Sequence, residues 1–236
     1  YKGLGKLGTQ LNLNTETVGG IYIPSPHPDE QEEIVNFLDR ETARIDDLIK
    51  KQERLIELLD EKLKAQVFNA IKNASPIKTR LKYLVEKHVR LIDHNSEDMF
   101  VPLGIKNWGR GLFKRPVSKG VELGESTFSF VREGDLIISG QFAWEGSIAI
   151  AKKKHCGCVV SHRFHLLNGK KNVIDTRYLY SFFRTKEGHA LLDENSRGSA
   201  GRNRPLNIGM LLKEKISVPS FESQIKIGDF YDKIED

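Results

Sequence analysis

Nine residues, Ser196-Arg197-Gly198-Ser199-Ala200-Gly201-Arg202-Asn203-Arg204, hold three arginines, an asparagine and two glycines. Arginine presents a planar fork of donors that fits a phosphate or the O6/N7 edge of guanine, and an asparagine amide matches the N6/N7 edge of adenine. Glycine gives the backbone the freedom to carry such groups into a groove. Two other stretches share this mixture: Lys106-Asn107-Trp108-Gly109-Arg110 and Gly140-Gln141-Phe142-Ala143-Trp144. The candidates for contact with DNA are therefore Lys106, Asn107, Trp108, Arg110, Gln141, Trp144, Arg197, Ser199, Arg202, Asn203 and Arg204. Core packing is an equal alternative for Trp108 and Trp144, and a solvated surface loop is the alternative for 196–204. Lys152-Lys153-Lys154 reads best as a charged hairpin turn.

A second run, His155-Cys156-Gly157-Cys158 with His162 and His165, contains metal-capable side chains. If Cys158–Leu167 is one strand, Cys156, Cys158 and His162 share a face. Residues two apart on a strand sit about 7 Å from each other, too far for a tetrahedral thiolate pair without a bend. Core or surface strand residues are the better reading, and no metal site is expected. The chain has no G-x-x-x-x-G-K-[ST] phosphate loop, no G-x-G-x-x-G turn and no Asn/Asp-Pro-Pro-aromatic motif. A non-catalytic protein is expected.

What must position these loops is a domain of short strands and glycine turns over 76–220. Runs at Asp135–Ser139, Ser147–Ala151 and Cys158–Leu167 read as β, and Thr176–Asn195 reads as one helical stretch. Before it lies a different kind of segment. No Gly or Pro occurs from Asp29 to Ser75, and Ile34, Phe37, Leu38, Ile45, Leu48, Leu55, Leu59 and Leu63 recur at helical spacing. The pattern predicts one helix over Asp29–Asn73, N-capped by Asp29, roughly 65–70 Å long. Its stripe needs a partner helix, and Ile45, Leu48, Leu55, Leu59 and Leu63 are the packing candidates. Without that partner the chain should self-associate.

The 236 residues are 39% hydrophobic and 29% charged, which excludes collagen-like, disordered and disulfide-stapled classes. No run of 18 apolar residues offers a membrane span. Two cysteines fit a reducing cytoplasm. Charge is split: residues 29–75 carry eight Lys and Arg against twelve acids, whereas 76–236 carry 27 against 19. A basic domain attracts a polyanion, DNA above all, although an acidic protein surface would serve too.

The chain also repeats itself at a spacing of nearly 200 residues. Ile21-Tyr22-Ile23-Pro24, Glu30-Gln31 and Phe37-Leu38-Asp39 match Ile216-Ser217-Val218-Pro219, Ser223-Gln224 and Phe230-Tyr231-Asp232. In both copies a Phe follows the Gln by six residues and an Asp by eight, and the second copy is two residues shorter between Pro and Gln. A second long helix should begin at about Phe221 or Glu222, which predicts a piece of a longer two-repeat protein.

The entry Ile-Tyr-Ile-Pro, then Glu30-Gln31, Ile34-Val35-Asn36-Phe37-Leu38-Asp39 and Thr42-Ala43-Arg44-Ile45-Asp46-Asp47-Leu48-Ile49, resembles the specificity subunit of type I restriction–modification enzymes. Leu81-Lys82-Tyr83-Leu84 and Glu133-Gly134-Asp135-Leu136-Ile137 are similar too, while Ser223 departs from the Glu-Gln pair. The resemblance implies an α+β fold, a mixed α/β target-recognition domain joined to a long coiled-coil-forming helix. Its parts would be the end of a first recognition domain and linker (1–28), a spacer helix (29–75), a second recognition domain (76–220) and the start of a distal helix (221–236). Such a subunit reads half of a bipartite site in double-stranded DNA and docks methyltransferase and restriction subunits. S-adenosylmethionine, ATP and Mg would reside on those partners. The alternative is a coiled-coil adaptor whose basic domain binds an acidic protein.

Overall fold

A computed structural model describes residues 15–73, 78–93, 97–198 and 204–235. The candidates Ser199, Arg202 and Asn203 lie outside the described residues. The chain divides into two compact units, Tyr1–Leu55 and Ile56–Asp236.

In the first unit α1 (Thr15–Gly19) leads through an irregular stretch to α2 (Pro28–Lys72). The helix starts one residue before the expected Asp29, so Asp29 is not its cap. Pro28 takes the first helical position, where its missing N–H would have no helical partner anyway and its fixed φ already suits the helix. The His27 carbonyl accepts the first bond, from the Gln31 N–H at 2.9 Å. Asp29 and Glu30 then face the positive end of the helix dipole. Gln31 Nε2 donates to the Pro26 carbonyl at 2.8 Å. Ile34, Phe37, Leu38, Ile45, Leu48 and Leu55 are all exposed.

The second unit takes in the last turns of α2. Leu59 is half-buried, and Leu63 and Val67 are fully buried in the unit's core. Leu63 is therefore covered by this chain itself, which corrects its assignment to a stripe awaiting another helix. β1 (Lys78–Arg80), the single turn α3 (Leu81–Leu84) and β2 (Val85–His88) come next. Then follow β3 (Met99–Phe100), β4 (Leu103–Ile105), β5 (Leu112–Lys114), β6 (Ser118–Lys119), β7 (Phe128–Phe130), β8 (Leu136–Ser139), β9 (Ile148–Ile150), β10 (Val159–Ser161) and β11 (Phe164–Gly169). The unit continues through α4 (Thr176–Phe183), α5 (Lys186–Glu194), α6 (Ile208–Leu211), β12 (Lys215–Ser217) and α7 (Phe221–Glu235). The chain is thus α+β with a long helix before the sheets.

The main sheet runs β2-β11-β8-β9, all antiparallel, with Leu166 opposite both Ile137 and His88. β8 is apolar on both faces because both are covered. Leu136 and Ile138 join α4 in the larger core, while Ile137 points the other way to Leu103 and Val160. The remaining strands form two-stranded pairs, β1/β12, β3/β6, β4/β5 and β7/β10.

Two sequence expectations fail for local reasons. The stretch Thr176–Asn195 is two helices, because Thr185 Oγ1 caps the second one by accepting the Gly188 N–H at 3.2 Å. At Gly188 a Cβ would lie 2.1 Å from the Phe182 carbonyl oxygen, so the helices meet there backbone to backbone. The run Cys158–Leu167 is likewise broken. β10 pairs with β7, β11 pairs with β8, and His162 and Arg163 turn between them. Cys158 is buried, Cys156 is exposed and His155 is buried, so Cys156, Cys158 and His162 do not share a strand face. Among the described residues no three His, Cys, Asp or Glu side chains are grouped to hold a metal, and no helix is long and apolar enough to cross a membrane.

The repeat survives with one shift in register. α2 and α7 each begin three residues before a glutamine, Gln31 and Gln224. Gln224 Nε2 donates to the Pro219 carbonyl at 3.0 Å, as Gln31 does to Pro26. Pro26, not Pro24, is therefore the partner of Pro219, and the two extra residues of the first copy precede Pro26.

Candidate nucleic-acid interface

The three candidate stretches are far apart in sequence and meet at one short turn. A 3-10 turn, Ala143–Glu145, closes on Gly146 in the left-handed conformation at φ 67°. Ser139 Oγ holds its approach by accepting the N–H groups of Gln141 at 3.3 Å and Phe142 at 3.1 Å.

The 106–110 stretch docks on that turn. Trp108 N–H donates to the Glu145 carbonyl at 3.0 Å and Gly109 N–H to that of Gly146 at 2.8 Å. The Asn107 amide donates to the buried Glu145 carboxylate, and Ser147 Oγ donates to Asn107 Oδ1 at 2.6 Å. Trp108 is forced to φ 63°, a conformation that costs a non-glycine residue about 1–2 kcal/mol. Its ring is 65% exposed and stacks on His189 with centroids 6.1 Å apart. Arg110 Nε donates to the Asn107 carbonyl at 3.0 Å and remains exposed.

The base of the 196–204 loop is clamped to the same turn. Ser196 bridges to Leu206, and the Leu206 N–H donates to the Gly140 carbonyl at 2.8 Å. Gly140 has no room for a side chain, since a Cβ would lie 2.6 Å from the Arg163 carbonyl oxygen. Arg204 Nε donates to the Ser196 carbonyl at 3.1 Å, and its guanidinium ion-pairs with Asp193 at 2.7 Å and lies 4.9 Å over the Trp144 ring.

The candidates thus divide. Asn107, Trp144 and Arg204 are engaged inside the fold and set the loops in place. Lys106, Trp108, Arg110 and Arg197 face solvent. Gln141 and Phe142 line a cleft of about 460 Å³ together with Ser139, Ser147, Arg115 and Arg163. Arg115 and Arg163 are exposed, with no side-chain ion pair among the described residues, and were not singled out in the sequence. They lie at separate strand ends 48 positions apart, so no local pattern joins them. His165, by contrast, adds no positive charge at neutral pH: burial, with Lys87 nearby, pushes its imidazole down to about 4.

The family model for the type I restriction modification DNA specificity domain matches residues 105–236, more than half of the chain. No curated protein matches. Among solved structures, the type I restriction–modification S subunit from M. genitalium is 14% identical with a TM-score of 0.54, over 89% of this chain and 55% of that one. The HsdS subunit from Thermoanaerobacter tengcongensis is 18% identical with a TM-score of 0.45, over 97% and 56%. A structure of complex assembly and conformational transition in the type I R-M system is 16% identical with a TM-score of 0.49, over 97% and 57%. The chain spans little more than half the length of the solved chains it matches. The likeness to the M. genitalium subunit is one of fold.

Proposed function

Starting from a chain that belongs to the family of type I restriction modification DNA specificity domains, we propose that it supplies sequence-specific DNA recognition and no catalysis of its own. It reads one half of a bipartite duplex target and docks methyltransferase subunits, to which restriction subunits add. Residues 76–220 are the recognition domain, 29–75 the spacer helix, 1–28 the end of another recognition domain with its linker, and 221–236 the start of a distal helix. S-adenosylmethionine, ATP and Mg belong to the partner subunits, and the assembly works in the cytoplasm.

The observation that carries this reading is the convergence of three polar, glycine-containing stretches on the Ala143–Glu145 turn. Rigid internal bonds fix the bases of the loops while Lys106, Arg110 and Arg197 stay in solvent. Such fixed loops can be aimed at a groove: phosphate contacts would set their register, and Gln141, which lines one cleft with Arg115 and Arg163, carries an amide that matches a base edge.

Anisotropy binding of the assembled complex to a duplex library at several salt concentrations tests it. Neutralising Lys106, Arg110 and Arg197 with Gln should weaken binding and lower the salt slope by roughly one for each phosphate no longer neutralised. Unchanged binding and slope would reject the site. Binding without discrimination among sequences would favour the adaptor instead.

A further inference from the structure

Lys152-Lys153-Lys154 is not a turn between paired strands, since β9 before it pairs with β8 and β10 after it pairs with β7. The lysines lead into a 3-10 turn, Lys153–His155. Leu136 lies opposite Ile150, so this turn stands at the far end of the β8–β9 pair from the Ala143–Glu145 turn. The 106–112 segment runs from one end to the other. Its Trp108 and Gly109 N–H groups meet the carbonyls of Glu145 and Gly146, and its Arg110 reaches the lysines.

There Arg110, Lys152, Lys154, His155, Tyr180 and Tyr231 wall a cleft of about 160 Å³. No Asp or Glu among the described residues lines it. Arg110, Lys114 and Lys154 have no ion pair among the described residues. The frame is fixed from within: Tyr180 Oη donates to the Gly109 carbonyl at 3.0 Å, and Arg110 Nε donates to the Asn107 carbonyl at 3.0 Å. His155 Nδ1 accepts the Lys152 N–H at 3.0 Å, which leaves Nε2 as the donor of a neutral imidazole. Burial, and then the charges of Lys154, Lys114 and Lys152, hold that imidazole below its ordinary range. Cations from two segments some 40 residues apart are thus crowded together without a carboxylate, an arrangement that a bound anion relieves.

We propose that this cleft seats a backbone phosphate of duplex DNA, outside the base pairs met at the Ala143–Glu145 turn, with Arg110 and Lys154 supplying charge and His155 a hydrogen bond. The inference rests on the DNA-recognition reading and adds to it a contact that carries no sequence information. Continuity favours duplex over a free anion, because Lys106 and Arg110 belong to the segment that docks on the recognition turn. Gly146 to Lys152 is six residues, at most about 20 Å. A duplex laid along this edge advances roughly six base pairs over that span, so the seat meets the flank of the target.

Salt-dependent anisotropy of the assembled complex, on a duplex selected from a library and on a random one, tests the seat. Lys154→Gln should lower the salt slope by about one and weaken binding about fivefold near 0.15 M salt, equally on both duplexes. Lys154→Arg should restore both. Lys154 is exposed, so the melting temperature should stay within about 2 °C. Ethylating single phosphates of the selected duplex should reveal a blocking position outside the base pairs read, to which Lys154→Gln is indifferent. An unchanged slope in Lys154→Gln, with the Lys106, Arg110 and Arg197 neutralisation still effective, would overturn the seat and leave the recognition reading standing. A loss confined to the selected duplex would instead put Lys154 on a base and overturn it too. Inorganic phosphate is the arm for a free anion. If it raises the melting temperature of the unaltered chain but not of Lys154→Gln, while the duplex slope is unchanged, the duplex assignment is wrong. A complex that binds no duplex would remove both readings.

Discussion

Arg204 lies with its guanidinium 4.9 Å over the Trp144 ring while pairing with Asp193 at 2.7 Å. One side chain thereby ties the exit of the 196–204 loop to the Ala143–Glu145 turn and to the end of α5. Planarity matters here, because a lysine can neither stack in the same way nor hold the Ser196 carbonyl and Asp193 together.

Arg204→Lys should therefore lower stability by about 1 kcal/mol and weaken DNA binding with the salt slope unchanged. Arg197→Gln should do the reverse, lowering the slope by about one with little loss of stability. Urea unfolding and salt-dependent anisotropy on both variants separate positioning from phosphate contact. A reduced slope in Arg204→Lys would place its guanidinium on DNA.

The two glutamines of the repeat should differ in energetic weight. Gln224→Ala leaves the Asp175 N–H and the Pro219 carbonyl without their buried partner, at a cost of about 2 kcal/mol. Gln31→Ala removes one exposed bond and should cost below about 0.5 kcal/mol in this chain. Denaturant midpoints measured side by side check the contrast, and equal losses would contradict it.

Stability should fall on mild acidification. Burial and then Lys87 bring His165 from an ordinary 6.5 to about 4, and burial with Lys154, Lys114 and Lys152 lowers His155 as well. The unfolded chain then binds more protons than the native one below pH 6.5. The contribution is complete above pH 6.5 and is lost as pH drops toward 4, by about 3 kcal/mol for His165. In urea titrations between pH 7 and about pH 4.5, His165→Leu should flatten this decline. An unaltered slope would remove His165 as its source.

Leu48 and Leu55 are 51% and 48% exposed on α2, and water is a poor neighbour for such a stripe. The chain should self-associate at high concentration. Leu48→Lys with Leu55→Lys should return it to a monomer in light scattering while its melting temperature holds. A clean monomer before substitution would count against the stripe as a packing surface.

The sequence alone settled whatever is written in neighbouring residues. The absence of Gly and Pro after Pro28, with apolar residues three and four apart, dictates α2 because helical bonds are local. The matched offsets of Gln31 and Gln224 announced two like helix starts for the same reason. Tertiary structure decided the rest. Thr185 divides a continuous helical pattern because α5 crosses α4 at Gly188, and the turn at His162–Arg163 sends β10 and β11 to different strands. It also decided which candidates hold loops and which face water. Asn107 meets Glu145 across 38 residues and Arg204 covers Trp144 across 60, and no local pattern encodes a partner at that distance.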